Sequence, residues 1–180
     1  AEEAARLAPL VESGDAAADI VEDLYFAWIR SGQYSLARSR FEELAAEHPN
    51  SGAIGLAASR ATRGVGDYER ALLSLDPILS YADVGVAALH EKAAVLKDVG
   101  RREESDEIYS DLLNRFLDGF IRGGPDLLYV VRAMWALDQF HDANDLFRVI
   151  AQGDPNNAEV FLAWGDLLAE KYNDEEAVAS

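Results

Sequence analysis

Cysteine is absent from this chain, and methionine (one), histidine (three) and proline (five) are all scarce among its 180 residues. The missing cysteines exclude disulfides and thiolate metal sites and leave the redox compartment undecided. Basic residues are also few. There are 16 Lys and Arg against 33 Asp and Glu, a formal net charge of -17. Such a field repels nucleic acid and anionic membrane surfaces, so both are excluded as expected partners. No apolar run reaches the roughly 20 residues of a membrane-spanning helix. No basic-then-apolar leader opens the chain, and the first residue is Ala1. The expectation is a soluble protein, cytoplasmic or exported after leader removal.

What is abundant is alanine and leucine, with few β-branched residues, which favours helix throughout. The pattern also repeats. Gly32-Gln33-Tyr34-Ser35-Leu36-Ala37 is followed by Phe41 and Pro49, and thirty-four residues on stands Gly66-Asp67-Tyr68-Glu69-Arg70-Ala71. Another thirty-four on stands Gly100-Arg101-Arg102-Glu103-Glu104-Ser105, with Tyr109 in the place of Phe41. After thirty-eight more comes Asp138-Gln139-Phe140-His141-Asp142-Ala143, then Phe147 and Pro155. A last copy begins at Ala158, carries Trp164-Gly165 and reaches Tyr172-Asn173-Asp174-Glu175-Glu176-Ala177.

Each position has a physical reason. Glycine lets the chain leave a helix with positive φ, and a small alanine allows a second helix to come close. Tyr34, Tyr68 and Phe140 are expected to fill the space inside each hairpin, and Phe41, Tyr109 and Phe147 the next layer. Asp154-Pro155-Asn156-Asn157 reads as a turn followed by a helix cap. Val21, Leu24 and Trp28, and later Leu127, Val131 and Met134, form stripes at three- and four-residue spacing.

This period and these residues resemble the tetratricopeptide repeat, a two-helix unit of thirty-four residues. The resemblance covers residues 18–180. It implies an all-α fold, an α-α superhelix of antiparallel helix pairs, with a single array over 1–180. A partial upstream helix would occupy 1–17, with repeats at about 18–51, 52–85, 86–123, 124–157 and a truncated 158–180. The lone first helix and the incomplete last pair imply a fragment of a longer protein, and the resemblance implies a bacterial one. Three departures stand out. Pro77 falls inside an expected second helix, where it costs about 3 kcal/mol unless the helix kinks or breaks, so a kink is expected near Asp76. Four extra residues around Asp118 to Gly124 imply a longer loop. Tyr25 stands where the family has a small residue, so packing in the first pair should be looser.

Catalytic constellations are lacking. His90-Glu91 opens like a zinc-protease helix, but Ala94 stands where the second histidine belongs, and His48 and His141 sit in other repeats. Gly64-Val65-Gly66 has no preceding strand and reads as an interhelix turn. Neighbouring carboxylates such as Glu42-Glu43, Glu103-Glu104 and Glu175-Glu176 diverge around a helix, as solvated faces do. No serine has the glycine flanks of a nucleophile elbow. The chain is therefore expected to be non-catalytic and to need no cofactor or metal.

The resemblance assigns the first helix of each pair to a concave surface. By register, the inward positions read Phe26, Arg60, Ala94, Arg132, Asp166 and Ile29, Arg63, Lys97, Trp135, Ala169, with Arg30, His90 and Tyr129 beside them. The implied function is a protein-interaction scaffold. Its partner-binding groove would comprise Phe26, Arg30, Arg60, Arg63, His90, Lys97, Tyr129, Arg132 and Trp135, taking a peptide with acidic and apolar side chains. None of these positions is asparagine, so the carboxylate clamp of some family members is not implied. A plainer reading has the arginines neutralising neighbouring Asp and Glu, with Trp135 in the core. The fourth and fifth repeats also resemble arrays in bacterial proteins with a metallopeptidase-like domain. A regulatory or targeting segment of a larger enzyme is thus the alternative.

Overall fold

The computed structural model of the protein describes residues 2–81 and 84–171. Among these, ten α-helices succeed one another without a strand: α1 (Glu2–Val11), α2 (Ala18–Arg30), α3 (Tyr34–Glu47), α4 (Gly52–Gly64), α5 (Tyr68–Leu75), α6 (Gly85–Asp98), α7 (Arg102–Leu117), α8 (Asp126–Ala136), α9 (Phe140–Gly153) and α10 (Ala158–Lys171). The repeat residues Tyr172 to Ala177 lie outside the described residues. The chain divides into two compact units, Ala1–Arg101 and Arg102–Ser180. The division falls between the two helices that the sequence assigns to the third repeat.

The four three-residue turns between helices are built alike. The amide of Gln33 donates to the Trp28 carbonyl (2.9 Å), Asp67 to Thr62 (3.2 Å), Arg101 to Leu96 (2.9 Å) and Gln139 to Met134 (2.9 Å). Each bond spans five residues, closes a helix C-terminus and requires a left-handed residue just before the donor. Gly32, Gly66 and Gly100 supply it with φ of 72°, 83° and 82°, and the fourth copy uses Asp138 at 61°. An L-residue there costs about 1–2 kcal/mol. At the other end of the hairpins, Ser51 caps α4, and the Asn157 carboxamide oxygen accepts from the Val160 amide at 3.3 Å to open α10.

In the Ala1–Arg101 unit, consecutive helices pack in antiparallel pairs, and the leading helix α4 also packs on α2 and on α6. Nearly all of α4 is buried, as its small residues Gly52, Ala53, Gly55, Ala57, Ala58 and Ser59 permit. Phe41 fills the layer between α2 and α3 and meets the Trp28 ring edge-on at 5.3 Å. Tyr25 lies 6.3 Å from Phe41 and is only half buried. Pro77 ends α5 outright instead of kinking it. The helix stops at Leu75 and a 3₁₀ turn, Asp76–Ile78, takes over. That turn lays Ile78 against Gly55 of α4, where an added Cβ would come within 3.0 Å of the Ile78 side chain.

In the Arg102–Ser180 unit, α7 packs on α8, α8 on α9 and α9 on α10. Phe147 is fully buried and stacks on Trp164 at 6.3 Å, while the Trp164 indole donates to Asn144 at 2.8 Å. The four extra residues form the longer connection from α7 to α8, pinned by buried Ile121. The hairpin aromatics sit less deeply than their pattern suggests. Tyr34 is 45% exposed, and Tyr68 and Phe140 are half buried. They are the first residues of α3, α5 and α9, at the ends of the hairpins, where neighbours cover only one side. Phe41 and Phe147, two helical turns further in, do the filling.

Candidate functional site: the leading-helix faces

The face formed by α2, α4 and α6 is organised around a buried carboxylate. Glu91 of α6 has only 7% of its side chain exposed. Its Oε1 accepts from Arg63 Nη1 at 3.3 Å, and its Oε2 lies 3.7 Å from Arg60 Nε. Arg60 reaches back to Glu22 of α2 at 2.5 Å, and Arg63 reaches on to Asp98 of α6 at 2.7 Å. Two arginines of α4 are therefore strung between acids of the helices on either side. Burial opposes charge on Arg63, but hydrogen bonds and attraction from Asp98 and Glu91 outweigh it and raise its pKa. The Tyr25 phenol is pushed up first by burial and then by Glu91, with Arg60 and Arg63 opposing.

The other expected residues of this unit take different places. Phe26 is partly exposed and lies edge-on to Tyr25 at 5.2 Å. Arg30 turns to the preceding helix and pairs with Glu3 at 3.1 Å, both groups largely in water. Such an exposed pair is worth little. Lys97 is exposed near the end of α6, and His90 is half buried.

In the Arg102–Ser180 unit, Tyr129, Arg132 and Trp135 come together on α8. The Arg132 guanidinium lies 5.9 Å from the Tyr129 ring centre and pairs with Glu159 of α10 at 2.9 Å. Trp135 is half buried, and its indole donates to Glu170 of α10 at 3.0 Å. Both contacts tie leading helix α8 to leading helix α10. Arg60, Arg63 and Arg132 thus have carboxylate partners already, which is what the plainer sequence reading expected of them.

The sequence reading missed Glu91, the acid that organises α4 and α6. The signal was present. Glu91, Ala94 and Asp98 follow at three- and four-residue spacing, so an inward Ala94 brings both carboxylates to its face. Among the described residues, no group of His, Asp or Glu is arranged to hold a metal ion. No helix among them is long and apolar enough to cross a membrane.

No protein-family model matches the chain, and no curated protein sequence matches it. Solved structures do. A tetratricopeptide repeat protein from Parabacteroides merdae is similar over 98% of this chain and 68% of its own, with 13% identity and a TM-score of 0.55. A putative kinesin light chain from Podosopora anserina, with nearly identical repeats of this type, is similar over 88% of this chain and 90% of its own. Its identity is 17% and its TM-score 0.51. Together with the helix pairs and their repeated glycine-type turns, these likenesses give the chain a tetratricopeptide-like helical-repeat fold.

Proposed function

We propose that this chain is a non-catalytic protein-interaction scaffold that receives a peptide segment of another protein on its leading-helix faces. The observation that carries the reading is the row of partly exposed aromatic and cationic side chains on α2, α4 and α6. Phe26, Arg30, Arg63, His90 and Lys97 stand on three neighbouring helices in a chain of net charge -17. Aromatic and arginine side chains are what interface hot spots are enriched in. The carboxylates of Glu22, Glu91 and Asp98 hold Arg60 and Arg63 in fixed positions, so little side-chain entropy remains to be lost on binding. Those same acids largely balance the arginine charge. An incoming peptide therefore gains most from apolar contact with Phe26, and its acidic side chains are met by Arg30, Lys97 and the outer edge of Arg63. On the second unit, Tyr129, Arg132 and Trp135 offer a comparable cluster.

The test is selection of a displayed random-peptide library on the purified chain. Enriched peptides should combine Asp or Glu with large apolar residues. Their affinity should fall at least about tenfold, or 1.4 kcal/mol, in Phe26→Ala combined with Arg30→Ala and Lys97→Ala. These three side chains carry little of the fold, so the melting curve should stay in place. Reversing Arg63 is unsuitable here, because a third carboxylate beside Glu91 and Asp98 would unsettle α4 and α6 themselves. Failure of the library to enrich any peptide, or binding indifferent to the triple variant, overturns the proposal.

A further inference from the structure

The second helices of the Arg102–Ser180 unit carry a surface distinct from the leading-helix faces. On α7, Leu113, Phe116 and Leu117 follow at three- and four-residue spacing, and Phe120 continues that register just past the helix end. A stripe of this kind ordinarily turns inward. Here only its first member is buried: Leu117 is 75% exposed and Phe120 81%. On α9, Leu146 and Val149 form a matching pair, with Val149 61% exposed. Between the two helices lies a groove of about 470 Å³, lined by Leu113, Phe116, Leu117, Met134, Leu146 and Val149. Its polar edge is Gln139, Asp142 and Asp145. Large apolar side chains gathered this way on a water-facing trough mark an interaction surface.

The edge decides what fits. Asp142 has no ion pair among the described residues, and Asp145 is answered only by Arg148 one turn on, at 2.9 Å with both groups exposed. We infer that this groove receives an amphipathic helix of a partner protein that is apolar on one face and flanked by Lys or Arg. Leucine-type side chains at three- and four-residue spacing enter between α7 and α9, and the flanking cations meet Asp142 and Asp145. A second copy of the chain is a poor occupant. Symmetric pairing would set these aspartates near their own images, between two bodies of the same strong negative charge. An anionic lipid surface is repelled for the same reason.

The experiment uses the full chain and a fluorescently labelled synthetic helix of about 18 residues, five turns. The probe has leucines at three- and four-residue spacing and lysines elsewhere. Anisotropy should show saturable binding, with a peptide of the same composition but scrambled order binding at least about tenfold more weakly. Leu117→Ser with Val149→Ser, and separately Asp142→Lys with Asp145→Lys, should each weaken binding by a similar factor. All four positions are exposed, so circular dichroism should report an unchanged fold. The Phe26→Ala variant should bind as well as the parent, which separates this groove from the leading-helix face. Equal binding of the scrambled peptide, or of an isomer with glutamate in place of lysine, overturns the inference. So does insensitivity to the α7 and α9 variants, or sedimentation showing a dimer that Leu117→Ser dissolves.

Discussion

Replacing Glu91 with glutamine probes the network that holds α4 between its neighbours. The amide keeps the shape of the carboxylate but removes the charge shared by Arg63 at 3.3 Å and Arg60 at 3.7 Å. A hydrogen bond to a charged group contributes about 1.5–3 kcal/mol. Two effects reduce that figure. The neutral side chain no longer has to be stripped of water, and Glu22 and Asp98 still hold the two arginines. Arg63 is also about one-third exposed, so part of its attraction is screened. A net loss of about 1–2 kcal/mol is expected, since α4 and α6 keep their apolar contacts. Urea unfolding followed by circular dichroism and by tryptophan fluorescence, with Trp135 and Trp164 replaced by Phe in both proteins so that buried Trp28 reports alone, would measure it. Because the pair is mostly shielded from solvent, most of the loss should persist between about 0.1 M and 1 M salt. A change below about 0.3 kcal/mol, or a gain in stability, would show that desolvation cancels the attraction and that Glu91 does not position the arginines.

Three further substitutions address the fold itself. Phe147→Ala removes a fully buried ring stacked on Trp164 and should cost about 3–5 kcal/mol by chemical denaturation, whereas a shift under about 1 kcal/mol would show the repeat register to be wrong. Asp138→Gly relieves a left-handed aspartate and should stabilise by up to about 1 kcal/mol, while Gly100→Ala should cost about the same or more. No atom lies within 4 Å of a Cβ added at Gly100, so a loss there is purely conformational, and equal melting points for all three proteins would refute the turn assignment.

The helix pairs were legible in the sequence because their determinants are local. A glycine or aspartate ends α2, α4, α6 and α8, and the large side chain nine residues after it (Phe41, Leu75, Tyr109 or Phe147) marks the core of the next helix. Phe41 and Phe147 fell where that rule placed them. Tyr34 did not, because a residue at the first position of a helix lies at a hairpin end, and the pattern does not encode depth. Pro77 announced a disruption, but whether the helix kinked or stopped depended on the close seat that Gly55 offers Ile78. The arginine row was legible by register, whereas its carboxylate partners were not. Those partners lie between 27 and 38 residues away in the chain, on neighbouring helix layers. Pairing across layers depends on side-chain direction, which no single repeat reveals. The exposed stripe of α7 was hidden for the opposite reason. Its spacing is that of any buried helix face, and only the packed structure shows Leu117 and Phe120 left exposed.

Peptide binding on α2, α4 and α6 is tested most directly by titrating a library-selected peptide into isotopically labelled chain and mapping backbone amide shifts. The largest changes should cluster on these three helices around Phe26, Arg63 and His90, with the α3 and α5 amides little moved. Shifts concentrated on α3 and α5, or scattered without a patch, would contradict it.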